Sequence, residues 1–574
     1  MALKELPRFG SAFIFQFMHR NPTKPNQRRV GLLRALTIAL ALLALTPSTF
    51  AASTFSRPKL VVMLVIDQFR ADYLMRFESR FKPAMSGDEV GGFRYLLSKG
   101  AYYPLGQYDL LQCMTAPGHA TILTGAYPYM TGIPINSWYD ATAKQRTYCV
   151  EDRATQTLGA VPKNAWAGTS PKNLVANTLG DELKLEGYPS KVVSIALKDR
   201  AAILMGGHKA DLSLWMDQES FAWASSKHYF PDGKLPGWIL ELNKKLAANK
   251  GKEGTWKSDD TGGTGLSIPG PFSHTFKQGE HSFEFPYAVQ LTVDAAEAAI
   301  SEMKLGQNPK GAPDLLAVSF SSHDYMGHDH GPNSREMEEL TVAEDRAVSQ
   351  LLNTLRKKVP GGLKNVLIAF TADHGIPPIP EWLQGQKILA GKLDEKAITQ
   401  TLNEKLTQTF GKPASESWIS WGGELNYYIN RDSLTASKKE RSQVEEVIRS
   451  ALLDLPGTFK VVTQTDYQQR RLPPGIFENQ FLNSYFPGRS GDAIIIPKPY
   501  FINKSDTTAH LSGYTYDRTV PILFVGAGVK PGKYATRAEV VDIAPTLAYL
   551  IGILPPNMSH GRVLSEAMSP AANP

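Results

Sequence analysis

Three aspartates and three histidines stand where they can do chemistry together: Asp67, Asp324, His328, Asp373, His374 and His510. Several have a plain explanation when taken singly. An aspartate after an apolar run, such as Asp67, serves as a turn residue or helix cap. A lone histidine such as His510 reads as a satisfied polar residue. Asp324 and His328 are more pointed, because residues four apart share one face of a helical turn and can touch one ion. Asp373-His374, followed by Gly375, is hard to explain as a turn alone. Three carboxylates and three imidazoles are about the donor set that two divalent cations need. Oxygen and imidazole donors without thiolate suit catalytic zinc ahead of manganese or iron. The two cysteines, Cys113 and Cys149, form no Cys-x-x-Cys pattern. They leave a bridge or two buried thiols as open alternatives.

A seventh residue supplies a nucleophile. In MTAPGHATILTGAYPYMTG, Met114 to Gly132, the piece HATILTGAY reads as a helix, and Pro117 fits its first turn. Thr115 is then expected at or just before the helix N-terminus. An N-cap role would account for it alone. Free amides and the helix dipole also favour an anion at that place. A hydroxyl beside a divalent cation there ionises more easily and can attack phosphorus.

These residues follow elements that would bring them together. Lys59–Ile66, Lys191–Leu197, Asp314–Phe320, Asn365–Phe370 and Val520–Gly526 are short runs rich in Val, Ile and Leu without polar alternation. Such runs read as fully buried parallel strands. Helical patterns lie between several of them, as in Arg335 to Lys358, which implies an α/β fold with a mainly parallel sheet. Asp67, Lys198, Asp324 and Asp373 follow four of these strands. In open α/β sheets, ligands bind beyond the carboxyl ends of the strands.

Composition is that of an ordinary globular chain: 574 residues, 42% hydrophobic and 20% charged. Basic residues up to Arg34 precede or enter an apolar run from Ala35 to Leu45, and small residues follow. Residues 1–51 therefore read as a signal peptide, too short in its apolar part to span a bilayer comfortably. Seven Lys/Arg and one acid fall in that segment, so the rest carries a net charge of only +1. The overall +7 is no argument for nucleic-acid binding.

The order Asp67, Thr-Ala-Pro-Gly-His-Ala-Thr, Ser-His-Asp-Tyr-x-Gly-His, Ala-Asp-His-Gly and a late His510 resembles the alkaline phosphatase superfamily, from about Pro58 to Val563. That resemblance implies a three-layer α/β sandwich with inserted cap regions. It implies one zinc held by Asp324, His328 and His510. A second zinc would be held by Asp67, Asp373 and His374, with Thr115 at its open position and forming phosphothreonine. A sulfatase would need Cys or Ser where Thr115 stands and arginine where His119 stands. A glycolytic mutase would not carry a secretion signal. Phosphate monoesters and diesters are the close alternatives. Lys198 and Arg200, two apart, would face one side if their strand continued, and two cations favour a monoester, which carries more charge on its nonbridging oxygens. Asn136 would add a hydrogen bond to a phosphoryl oxygen. Lys-x-Arg, this asparagine and the threonine together resemble the PafA/PhoK type of bacterial alkaline phosphatase. Other histidines, among them His119, His323 and His330, are left out of the site.

The expected organisation is a core of residues 52–210, 311–376 and 506–574, interrupted by insertions at 211–310 and 377–505 that frame the site. The expected partners are small phosphate monoesters, with no nucleic acid and no membrane span after signal removal. Structural calcium or magnesium and the oligomeric state stay open.

Overall fold

The run LVVMLVI has no polar residue, and it forms the buried strand Leu60–Ile66 at the middle of an 11-stranded sheet. The computed structural model describes residues 57–160, 168–259, 267–268, 270–472 and 475–569, which belong to one compact unit; the signal peptide expected at 1–51 lies outside them. Asp314–Phe320 and Val366–Thr371 flank the Leu60 strand in parallel, and Val192–Ala196 then Leu212–Asp217 extend the parallel set. The register pairs Ile66 with Phe320, Val65 with Thr371 and Ser319 with Ala196, so four strands end side by side. Neighbouring strands run about 4.8 Å apart, close enough for side chains from adjacent ends to share a pair of ions.

Helix Asp199–Gly206 packs on the sheet and against Thr115–Thr124, while Pro286–Glu302 packs on both Arg335–Lys358 and the sheet. The result is the expected α/β sandwich with a large, mainly parallel sheet.

Two expectations need correction. The last apolar run forms Thr519–Val525, but it pairs antiparallel with Val366–Thr371 and with Gly100–Gln107. It lies between two strands, so it reads as continuously apolar whatever its direction; burial does not encode polarity of the chain. Leu212–Asp217 and Ala222–Ser226 are strands of the central sheet, so the sheet continues past residue 210 into the span read as an insertion. Within 377–505, a four-stranded sheet in the order Ile419–Gly423, Asn426–Ile429, Ala493–Pro497, Thr458–Thr463 is covered by helices Glu395–Phe410 and Arg441–Leu453. Leu402, Leu406, Ile448 and Ile495 belong to an apolar cluster there. Cys113 and Cys149 are both free and buried.

Candidate active site

Every side chain singled out from the sequence meets at the carboxyl edge of the central strands. Asp324 Oδ1 lies 3.3 Å from His328 Nε2 and 3.8 Å from His510 Nε2. His374 Nε2 lies 3.4 Å from Asp67 Oδ1 and 3.3 Å from Asp373 Oδ2. The rings of His374 and His510 stack at 3.7 Å between centroids, which puts the two trios against each other.

The histidines are held by backbone carbonyls in an orientation that fits ligation. Nδ1 of His328, His374 and His510 lies 2.9, 3.0 and 2.8 Å from the carbonyl oxygens of Thr508, Gly375 and Cys113. As donors to those carbonyls they leave Nε2 as the lone-pair nitrogen, the arrangement metal-binding histidines use. Asp67 Oδ1, Asp373 Oδ2 and His374 Nε2 are buried with no hydrogen-bond partner. Buried polar atoms are normally paired, so three orphans aimed at one point fit divalent cations. The electrostatics agree. Burial, then the nearby Asp373 carboxylate, pushes the Asp67 carboxyl well above its ordinary value despite Lys198. Burial, with His374 and His328 beside it, keeps His510 neutral.

Thr115 opens the helix Thr115–Thr124 as its first residue, with Met114 as the cap and no side-chain cap hydrogen bond. The capping explanation therefore fails for this hydroxyl. Gly118 lets that helix press on the next strand end: a Cβ there would stand 2.5 Å from the Asp373 carbonyl oxygen. Thr115 Oγ1 is 3.5 Å from Lys198 Nζ and 3.5 Å from Arg200 Nη2.

Lys198 and Arg200 reach the site by a different route from the one expected. The strand ends at Ala196, and Lys198 caps the helix Asp199–Gly206. The turn, and not strand alternation, aims both cations at Thr115. Lys198 is also deeper than expected, 2.7 Å from Asp67 Oδ2 and paired with Asp324. Asn136 Oδ1 accepts the Ala116 N–H at 2.9 Å, fixing the carboxamide beside the helix start. Thr115, Asn136, Arg200 and His510 line a cavity of about 200 Å³.

Three contributors were missed. Gln68, at φ 67°, donates its backbone N–H to Asp373 Oδ1 at 2.9 Å and its side-chain amide to Asp324 Oδ1 at 2.7 Å. It braces one carboxylate of each trio; its place next to Asp67 was the available signal. Glu424, in the span expected to be the second insertion, accepts the N–H groups of Asn136 and Ser137 at 3.0 and 3.4 Å and lines the cavity. No sequence signal marked it. His119 lies inside the helix as expected, yet its Nδ1 stands 3.1 Å from Asp373 Oδ2 and its Nε2 2.8 Å from Ser319 Oγ. His323 is structural, buried 2.8 Å from Glu344 and packed on Phe69 and Tyr73.

The family model for type I phosphodiesterase / nucleotide pyrophosphatase matches residues 61–516. Alkaline phosphatase PhoV of Synechococcus elongatus is 34% identical over 91% of this chain and 95% of its own length. Alkaline phosphatase PafA of Elizabethkingia meningoseptica is 32% identical over 89% of this chain and 95% of its own. The PafA crystal structure superposes with a TM-score of 0.79 at 31% identity, covering 89% of this chain and 99% of that one. The chain belongs to the alkaline phosphatase superfamily. It is a hydrolase of the phosphatase class. A second PafA structure carries substitutions at a threonine, an asparagine, a lysine and an arginine, in the order and at the intervals of Thr115, Asn136, Lys198 and Arg200 in this superfamily member. A Myroides odoratus protein named calcium-transporting ATPase is also similar, 33% identical over 91% of this chain and 96% of its own. Among the described residues of the present chain, no helix is long and apolar enough to cross a membrane.

Proposed function

We propose that this protein is a zinc-dependent alkaline phosphatase that hydrolyses phosphate monoesters through a phosphothreonine on Thr115, in the periplasm or outside the cell. The observation that carries the reading is the single focus of three carboxylates and three Nε2 atoms beside the Thr115 hydroxyl and two cations. Asp324, His328 and His510 would hold one zinc, and Asp67, Asp373 and His374 the other. Bound there, the two ions would supply Lewis-acid charge that eases deprotonation of a hydroxyl and of water and offsets phosphoryl charge.

The rest is the work of this chain. Thr115 Oγ1 bonds to phosphorus as the bond to the leaving oxygen breaks, and the hydroxyl proton goes to solvent or to the departing alkoxide or phenolate. Water then displaces Thr115 from phosphorus, releasing phosphate and restoring the hydroxyl. Arg200 and the amide side of Asn136 orient the phosphoryl oxygens, and Lys198 balances the Asp67 and Asp324 charge close to the nucleophile. Two cations on one side favour a monoester. The four substitutions in PafA support giving these four positions the central part. The second insertion acts as a cap, because it supplies Glu424 to the cavity wall. The leader read at residues 1–51 supports export.

The matched family description supports a second reading, a nucleotide pyrophosphatase/phosphodiesterase. Turnover of p-nitrophenyl phosphate and bis-p-nitrophenyl phosphate by purified, zinc-supplied protein separates the two. Faster monoester cleavage is expected; a preference for the diester replaces the first reading by the second.

A further inference from the structure

Among the described residues, three groups have metal-ligating atoms within 4.8 Å of one another: Asp324, His374 and His510, and Asp67, His119 and Asp373, both in the site above, and, apart from it, His274, His330 and Glu336. The three come from separate elements. His274 is on the strand Phe272–Lys277 of a hairpin with Glu253–Ser258, His330 ends the helix Ser322–His330, and Glu336 is in the first turn of Arg335–Lys358. Glu336 Oε1 lies 3.0 Å from His274 Nε2 and 3.7 Å from His330 Nδ1.

Tetrahedral bonds of about 2.0–2.2 Å place neighbouring ligand atoms roughly 3.3–3.6 Å apart. The two separations bracket that span, as do 3.3 and 3.8 Å around Asp324 in the catalytic set. The His274 and His330 rings stand 5.2 Å apart, against 5.1 Å for His328 and His510. Trp256, Phe272 and Phe285 pack around His274, an apolar shell that strengthens attraction between a cation and Glu336. On the same helix Glu338 and Glu339 take Arg80.

We propose that His274, His330 and Glu336 form a separate site for a borderline divalent cation such as zinc, tying the hairpin to the end of the helix that carries Asp324 and His328. Two imidazoles and one carboxylate select zinc, cobalt or nickel over calcium and magnesium. Three protein donors leave a position for water, and all three residues are only half-buried, so the ion exchanges more freely than one in the catalytic set.

The test is zinc content after equilibration of full-length wild type, His274→Asn and Glu336→Gln at one buffered free-zinc concentration. Each variant is expected to hold one equivalent fewer than wild type while keeping its turnover of p-nitrophenyl phosphate. Equal zinc content in all three overturns the proposal. The readout is a difference, so it is independent of how many ions the catalytic trios take. Diethyl pyrocarbonate labelling of the wild type needs no variant to fold: zinc is expected to protect His274, and unchanged labelling of that peptide overturns the proposal as well.

Discussion

Glu424 Oε2 accepts the backbone N–H of Asn136 at 3.0 Å, so an acid distant in sequence sets the position of an amide beside the start of the helix Thr115–Thr124. Glu424 is itself held in an uncommon backbone state, φ 52°, followed by Leu425 at φ 60°. Both residues occupy the left-handed region, where side chains are strained and strain collects near functional sites.

A pH-dependent stability follows. Burial pushes the Glu424 carboxyl up to about 7, against the Ser137 N–H and Arg146, with Glu395 adding to the rise. The ordinary value is 4.5. Between these values the folded chain keeps a proton that the unfolded chain loses. The contribution is therefore complete below the unfolded value and is lost as pH rises through about 7. Glu424→Gln keeps the shape and removes the titration. Its urea midpoint should gain on wild type from acid pH to about 8 and then level off; a pH-independent difference would sink this assignment. Glu424→Ala should lower kcat/KM for p-nitrophenyl phosphate by roughly ten- to a hundredfold through a displaced Asn136.

Much of this site was legible because its three aspartates lie at or just beyond the ends of strands that continuous apolarity marks as buried. Asp67, Asp324 and Asp373 exit three adjacent parallel strands, and the strand-end rule needs no side-chain detail. What was not legible depends on contacts between distant segments. Nothing in the residues around Glu424 marks it, because its role exists only once the second insertion folds over Asn136. The direction of Thr519–Val525 was hidden for the same reason: a strand flanked on both sides is apolar either way. Lys198 and Arg200 converge on Thr115 through a strand-to-helix turn, which a two-residue spacing does not reveal.

Thr115→Ala should abolish phosphoenzyme formation. Loss of a nucleophile costs at least about a thousandfold in turnover, leaving what binding and electrostatics still supply. Rapid-quench trapping of labelled phosphate on the protein is the direct measurement. Zinc content should stay at the wild-type level, since six other donors remain. A variant that loses zinc in step with activity would reassign Thr115 from nucleophile to ligand.

Arg200 and Lys198 should fail differently. Arg200 Nη2 lies 3.5 Å from Thr115 Oγ1. Arg200→Ala should reduce kcat/KM for p-nitrophenyl phosphate by about a hundredfold, the scale of one lost oxyanion donor, with a smaller loss on the diester. Equal losses on both substrates would remove the charge argument for monoesters. Lys198 is buried between Asp67 and Asp324, so Lys198→Ala leaves the buried Asp324 carboxylate without the cation that holds it ionised. Breaking one side of a buried pair costs about 3 kcal/mol, which a urea titration of chelator-treated protein would register. Added zinc should recover most of that loss, because the cation replaces the missing charge.

Gln68 supports both trios at once, so its removal should be read in metal affinity before it is read in chemistry. Its backbone N–H holds Asp373 and its side-chain amide holds Asp324. Partners that orient ligands contribute roughly ten- to a hundredfold to affinity. Gln68→Ala keeps the backbone donor and removes the amide, so zinc held by Asp324, His328 and His510 should weaken more than zinc held by Asp67, Asp373 and His374. Gly327 offers an independent route to the same displacement, because a Cβ there would overlap Gln68 Oε1 at 1.7 Å. Gly327→Ala must push that amide aside and should weaken zinc in the same order. Competition against a chelating dye, followed through both release steps, measures the two affinities. If Gln68→Ala released both ions at wild-type concentrations of chelator, the brace would carry no weight and Asp324 would be held by its helix alone.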